Sequence, residues 1–448
     1  RRAMGKKIKA EMDAQRAIFV NGAVEKGVAK KQANTIFDLV DKFAGYGFNK
    51  SHAACYALVA YQTAWLKANY PVEFLAASMT LDLTNTDKLG VFKEEVERLG
   101  IELRNPDINK SEAFFTVEDV SGKNEGAIRY ALAAVKNVGR AAMDSVVEER
   151  NTSGLFKTVF DFSGRLESRT INKRQIENLA RAGAFDSLEK NRHKVHQSAE
   201  ILLRHASAAA EDRASGQESL FGGPDAGIDE PELPSVTDWS SMERLRNEFD
   251  AIGFYLSAHP LDMYERDLKR MGAKTWGEVP PTLTDTDKNV RLGGTVMGKQ
   301  ERMSKRGNRF AFVQFSDSSG TFEGMFFADA LTNARPLLEN GTNVVVDIEA
   351  RLDEGAPRIG VTRIQRIDKL VADTAAGLEI RLNNADPLAH ISDALEQANS
   401  GKGRVKLWLS IENGTSEVEI NLPGRYAITA EVRDSIAAAE GILELRDV

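Results

Sequence analysis

Gly45-Tyr46-Gly47-Phe48-Asn49-Lys50-Ser51-His52-Ala53-Ala54-Cys55-Tyr56-Ala57-Leu58-Val59-Ala60-Tyr61-Gln62-Thr63-Ala64-Trp65-Leu66-Lys67-Ala68-Asn69-Tyr70-Pro71 is a turn followed by a long apolar helix. Upstream, Lys31 to Phe43 sets Ala33, Ile36, Phe37, Val40 and Phe43 at helical spacing on one face. Two glycines then free the backbone, Ser51 opens the next helix, and the helix stops near Tyr70 because the residue before a proline is pushed out of helical geometry. A helix start offers unpaired N–H groups and a positive dipole end, and Lys50 and His52 flank this one, so the turn can seat a phosphate. It is not a phosphate-binding Walker loop, since Asn49 stands where that motif needs glycine before Lys-Ser. The plainer reading is a helix-entry turn, with Tyr56, Val59, Tyr61, Trp65 and Leu66 as core.

Outward from this stretch the pattern changes several times. Residues 101–127 mix short strand-like runs around Ile101–Leu103 and Phe114–Val117, and 128–192 return to short helices. Residues 204–240 collapse into Ala, Ser, Gly, Asp, Glu and Pro, which reads as an acidic linker. Period-two alternation over 290–370 predicts five strands closing an OB-type barrel, at Val290–Val296, Phe310–Asp317, Thr321–Phe327, Asn343–Leu352 and Arg358–Ile367. The last 75 or so residues alternate strand (378–382), helix (388–398), strands (405–411 and 418–422) and helix (428–439). The fold class is therefore multidomain α+β: a mostly helical N-terminal half, an OB-type β-barrel, and a small α+β C-terminal domain. The expected boundaries are 1–127, 128–203, the linker 204–240, a helical connector 241–284, the barrel 285–370 and the C-terminal domain 371–448.

Composition narrows the function. A single cysteine, Cys55, excludes an internal disulfide framework and a Cys-based zinc site and suits a cytoplasmic location; the six histidines are scattered, so no metal site is expected. No apolar run reaches the ~20 residues of a membrane span, so neither membrane nor secretion is expected. The net charge is −7, yet residues 1–70 carry 12 Lys+Arg against 5 Asp+Glu, 129–193 carry 12 against 8, and 291–310 carry 6 against 1. Separate basic patches on an acidic chain point to discrete anion sites.

Residues 45–74, with Arg1-Arg2-Ala3-Met4-Gly5-Lys6-Lys7 upstream, strongly resemble the fingers domain of the bacterial DNA polymerase III alpha subunits. The resemblance implies that Arg1, Arg2 and His52, with Lys50 as a helper, lie by the triphosphate of an incoming deoxynucleotide. It implies tandem helix-hairpin-helix units at 129–146 and 171–188. There, Gly139 lets backbone N–H groups reach a duplex phosphate, Lys136 and Arg140 add charge, and Lys173 and Arg174 belong to the second unit. The second unit's Gly183 reads equally well as a helix C-cap. Gln217-Glu218-Ser219-Leu220-Phe221 resembles a sliding-clamp-binding peptide, in which Gln217 hydrogen-bonds and Leu220 and Phe221 fill an apolar pocket.

On the barrel, Lys299, Arg302, Lys305, Arg306 and Arg309 fall between the first two strands and Phe310, Phe312 and Phe315 follow, the apparatus of single-strand DNA binding. Any one phenylalanine reads first as core. Nucleotidyl transfer needs carboxylates holding two Mg2+ ions about 3.5–4 Å apart. Asp285, Asp287 and Asp250 sit in loop or linker sequence, so no catalytic residue is expected here. The resemblance puts the palm and its Mg2+ upstream, and the chain reads as the C-terminal piece of a longer enzyme, inactive alone. The C-terminal region, net −6 over 371–448, is implied to dock the clamp-loader tau subunit. The competing reading is a non-enzymatic DNA-binding adaptor that tethers a clamp.

Overall fold

The computed structural model of the chain describes residues 9–46, 50–119, 126–167, 169–215, 230–304, 307–372, 377–398, 400–411, 416–437, 439 and 441–448. They fall into two compact units, Arg1–Phe74 and Leu75–Val448.

In the first unit, Ala33 and Phe37 lie one turn apart on the helix Lys30–Tyr46 and are both buried. Phe37 packs with Met12 of the helix Lys9–Glu25 and against the Phe19 ring 5.6 Å away. Ile36 is exposed, because it lies about 100° round the helix from Phe37; the side chain of Phe43 lies outside the described residues. The next helix, Lys50–Asn69, begins one residue before Ser51 and buries none of its 20 side chains. Tyr56, Val59, Tyr61, Trp65 and Leu66 are exposed rather than core. These apolar residues surround the helix instead of forming one stripe, so no single neighbour could cover them.

The second unit begins within the helix Pro71–Leu81 and continues with the helix Thr86–Arg98, capped by Asn85, and a three-stranded sheet of Leu103–Arg104, Ala127–Arg129 and Thr116–Glu118 with Ala127–Arg129 central. Arg104 and Arg129 both donate to Glu118, at 2.6 and 2.7 Å. Helices Arg140–Ser153, Val159–Arg165, Lys173–Arg181, Arg192–Gln197 and Ala199–Ser215 follow. They close on an aromatic core in which Phe162 meets Phe156 and Phe185 edge-on at 5.2 and 5.1 Å.

The helix Ala199–Ser215 runs through sequence whose composition reads as linker. Alanine is the best helix former, and Leu202, Ala206 and Ala209 are buried. Residues 230–240 belong to no helix or strand but are pinned: Asn191 Nδ2 donates to the Val236 carbonyl at 2.8 Å, and Trp239 stacks on His193 at 5.3 Å. The connector helix Ser241–Ile252 starts in a Ser240–Glu243 capping box.

Strands Lys288–Met303, Arg309–Asp317, Gly320–Phe326, Ala356–Arg366 and Asn343–Asp353 close a barrel in that order. Val296, Val313, Phe315, Phe326, Val346 and Val361 fill it. Gly324 makes room for closure: a Cβ there would lie 2.6 Å from Val361 Cγ2.

The C-terminal sheet runs Ser416–Asn421, Val405–Ile411, Leu378–Leu382, Ile442–Asp447, its central pair parallel. Ile380, Leu407, Ile391, Leu395 and Ile436 share one core, the last three from the helices Leu388–Gln397 and Ala430–Ala437. The closing strand Ile442–Asp447 is absent from the sequence reading because its alternation is too short to stand out. This domain meets the barrel through Leu261, Tyr264, Val345, Ile367, Val371 and Ala430, beside an Arg433–Asp267 ion pair at 3.1 Å.

Candidate nucleic-acid interface

The first hairpin separates its two cations. Asn137 takes a positive φ of 63°, and the chain enters the helix Arg140–Ser153 through Gly139, which caps it with no side-chain hydrogen bond. Gly139 and Arg140 are exposed, so the uncapped N–H groups of that first turn face outward. Arg140 lies 4.4 Å over the Phe114 ring and 3.5 Å from Asp144. Lys136 does not join it. Its backbone N–H donates to the Ala251 carbonyl at 2.8 Å, and its ammonium lies 5.8 Å from the Phe249 ring. Burial lowers its pKa, against the pull of Asp250 and Asp87. Lys136 therefore lies half-buried in the seam with the connector helix. Asp250, assigned to loop or linker by sequence, lies in the connector helix that forms this seam.

The second hairpin is closed at its helix start. Asn172 accepts from the Gln175 N–H at 3.0 Å, and Gln175 accepts from the Asn172 N–H at 2.8 Å. Lys173 is held by Glu200 at 2.6 Å, and this hydrogen bond raises its pKa; Arg174 is exposed. Gly183 follows the cap residue Ala182 and ends the helix Lys173–Arg181. Its φ is +81°, its N–H donates to Ala180, and the Ala184 N–H donates to Leu179. A Cβ there would run into the Arg192 guanidinium, which is buried and bound to Asp186 at 2.7 Å and Glu248 at 3.4 Å. That network fastens hairpin to connector. Of the two hairpins, only the first presents an open helix N-terminus.

The barrel carries the other patch. Ala311, Val313 and Phe315 point inward, which leaves Phe310 and Phe312 half-buried on the outer surface, their rings 5.5 Å apart. Arg302 lies 5.5 Å over Phe312, and Gln300 and Met325 flank Phe312 in register. The first strand extends to Met303, so Lys299 and Arg302 are strand residues rather than loop residues. Side chains alternate along a strand, so Lys299, opposite Val313, faces away from Arg302. Arg309 is exposed at the start of the second strand. Nothing in the local sequence marks Met325; only its pairing with Phe312 does.

Lys50 and His52 lie in the first turn of their helix, both exposed, with the His52 ring stacked on Tyr56 at 4.3 Å. Arg1, Arg2, Gln217, Leu220, Phe221, Lys305 and Arg306 lie outside the described residues. Among the described residues no group of three or more His, Cys, Asp or Glu is placed to hold a metal ion, and no helix is long and apolar enough to cross a membrane.

Residues 100–195 match the helix-hairpin-helix motif family. The chain is 44% identical to the DNA polymerase III subunit alpha of Caulobacter vibrioides over 449 residues, covering 100% of this chain and 39% of that relative. It is 37% identical to the same subunit of Escherichia coli over 420 residues, covering 91% of this chain and 35% of that one. The mitochondrial single-stranded DNA binding protein Rim1 of Saccharomyces cerevisiae aligns with 18% of this chain and 96% of its own, at 16% identity and a TM-score of 0.16. The barrel therefore rests on its own strand pairing. Over its full length the chain is similar to the first of these DNA polymerase III alpha subunits, and it spans about two-fifths of that relative's length.

Proposed function

We propose that the chain is the DNA- and partner-binding portion of a template-directed DNA polymerase. The end-to-end match to polymerase relatives carries the reading. The open helix start at Gly139–Arg140 supports a duplex-phosphate contact, and the Arg302–Phe312 stripe supports single-strand binding. Arg1, Arg2, Lys50 and His52 would bind the triphosphate of the incoming nucleotide, and Gln217, Leu220 and Phe221 a sliding clamp. The acidic C-terminal domain would bind the tau subunit. Mg2+ would serve the complete enzyme; no carboxylate cluster among the described residues is placed to hold it.

Fluorescence anisotropy of the chain on a primed duplex with a single-stranded overhang tests the DNA reading. Affinity should fall as salt rises, because phosphate contacts release counterions, by about 0.7–0.9 log units per log unit of salt for each contact. Arg140→Ala should weaken duplex binding and Arg302→Ala with Arg309→Ala should weaken overhang binding, each flattening that slope. Binding indifferent to salt and to these substitutions would refute the assignment. In the full-length polymerase, His52→Ala should raise KM for nucleotide.

A further inference from the structure

The aromatic stripe of the barrel ends in a cleft of about 420 Å3 with an acidic wall. Phe312 and Met325 line it from paired strands, with Glu323 two residues before Met325 on the same face of its strand and the turn that holds Asp353, Glu354 and Arg358 completing the wall. Asp353 is neutralised by Arg358 at 3.0 Å. Glu323 and Glu354 are exposed and make no ion pair among the described residues, so two uncompensated carboxylates border an aromatic surface. The cations Arg302 and Arg309 lie on the far side of Phe312, toward the hairpin of the first two strands.

This division of charge orients a single strand. Phosphates are repelled by the wall and attracted to the hairpin, so the bases point into the cleft and stack on Phe312. A carboxylate only accepts hydrogen bonds. Cytosine and adenine present an exocyclic amino group with two N–H donors where thymine presents a carbonyl oxygen and a methyl group, which leaves thymine one ring N–H to donate. We propose that Glu323 and Glu354 make this cleft a base-selective pocket, favouring amino-bearing bases over thymine in single-stranded DNA on the barrel. The proposal rests on the single-strand reading above and adds a preference to it.

Anisotropy of the whole chain with labelled oligo-dC and oligo-dT of about 12 nucleotides, a length within the usual span of one such barrel, compares two pyrimidines that differ at the discriminating group. Mildly alkaline buffer keeps cytosine neutral. Oligo-dC should bind about five-fold more tightly, the worth of one modest hydrogen bond. Glu323→Gln with Glu354→Gln should bring the ratio close to one, because an amide both donates and accepts. Phe312→Ala should weaken both oligonucleotides. Equal affinities in the parent chain, an unchanged ratio in the double variant, or a double variant that binds both equally more tightly would overturn the base preference while leaving single-strand binding intact. If Phe312→Ala and Arg302→Ala change neither affinity, the barrel is not the single-strand site and the underlying reading fails with the preference.

Discussion

His259 shows how much one side chain can reveal once its surroundings are known. It is buried where residues after the connector helix meet the barrel. Its Nδ1 accepts from the Leu261 N–H at 3.1 Å, which leaves Nε2 to donate to Ser316 Oγ at 3.0 Å. Burial, with Lys93 nearby, pushes its pKa from 6.5 down to about 3. The unfolded ring gains a proton below 6.5 while the folded ring stays neutral until about 3. Across that window the unfolded state binds more protons, so stability falls as pH falls, by about 1.4 kcal/mol per unit at most. His259→Gln should flatten the dependence of the urea midpoint between roughly pH 6.5 and 5. His196 and His205 are also shifted downward by burial and add to the slope, so the difference between parent and variant is the measure. Equal slopes would show that the ring is solvated.

The start of the helix Arg140–Ser153 trades stability for an open end. Gly139 has a φ of −78°, which any residue adopts, and a Cβ there would meet only Gln175 Nε2 at 3.5 Å, an ordinary contact. Glycine is therefore not required by the fold. Gly139→Asp should cap the helix and stabilise it by a few tenths of a kcal/mol. The same carboxylate would occupy the N–H groups and repel a phosphate, so duplex affinity should drop about tenfold while the melting temperature holds or rises. Undiminished duplex binding with a raised melting temperature would move the DNA contact away from this helix. The helix Lys173–Arg181, already closed by its Asn172–Gln175 box, serves as the internal comparison.

On the scale of the whole molecule, basic patches stand on an acidic chain, and the C-terminal domain carries 7 Lys+Arg against 13 Asp+Glu. That sign suits a protein partner better than DNA. The proposed clamp peptide lies in sequence between the end of the helix Ala199–Ser215 and Glu230, which accepts from Thr158 Oγ1 at 3.4 Å. Leu220→Ala with Phe221→Ala should remove clamp binding and leave DNA binding and the melting temperature unchanged. Losing two buried anchors at ~2 kcal/mol each corresponds to about a thousandfold. Surface plasmon resonance on immobilised clamp measures it, and retained binding would place the clamp site elsewhere.

The sequence by itself determined the strands of the barrel, because alternation over 310–315 has the period of a pleated strand and no other element shares it. It could not decide which phenylalanines face out. Inward or outward depends on register, and only closure against Val361 and Val346 turned Phe315 in and left Phe312 out. Lys136 and Arg140 flank one turn in the sequence; the connector helix, more than 100 residues on, packs against the first and leaves the second exposed. Alanine-rich composition from 204 onward reads as linker, yet Ala206 and Ala209 are helix core because a neighbouring helix supplies a surface for small side chains. Local pattern reports what a segment can become. Burial and pairing between distant segments decide which of its charges and rings remain available to a ligand, and those are properties of the tertiary structure.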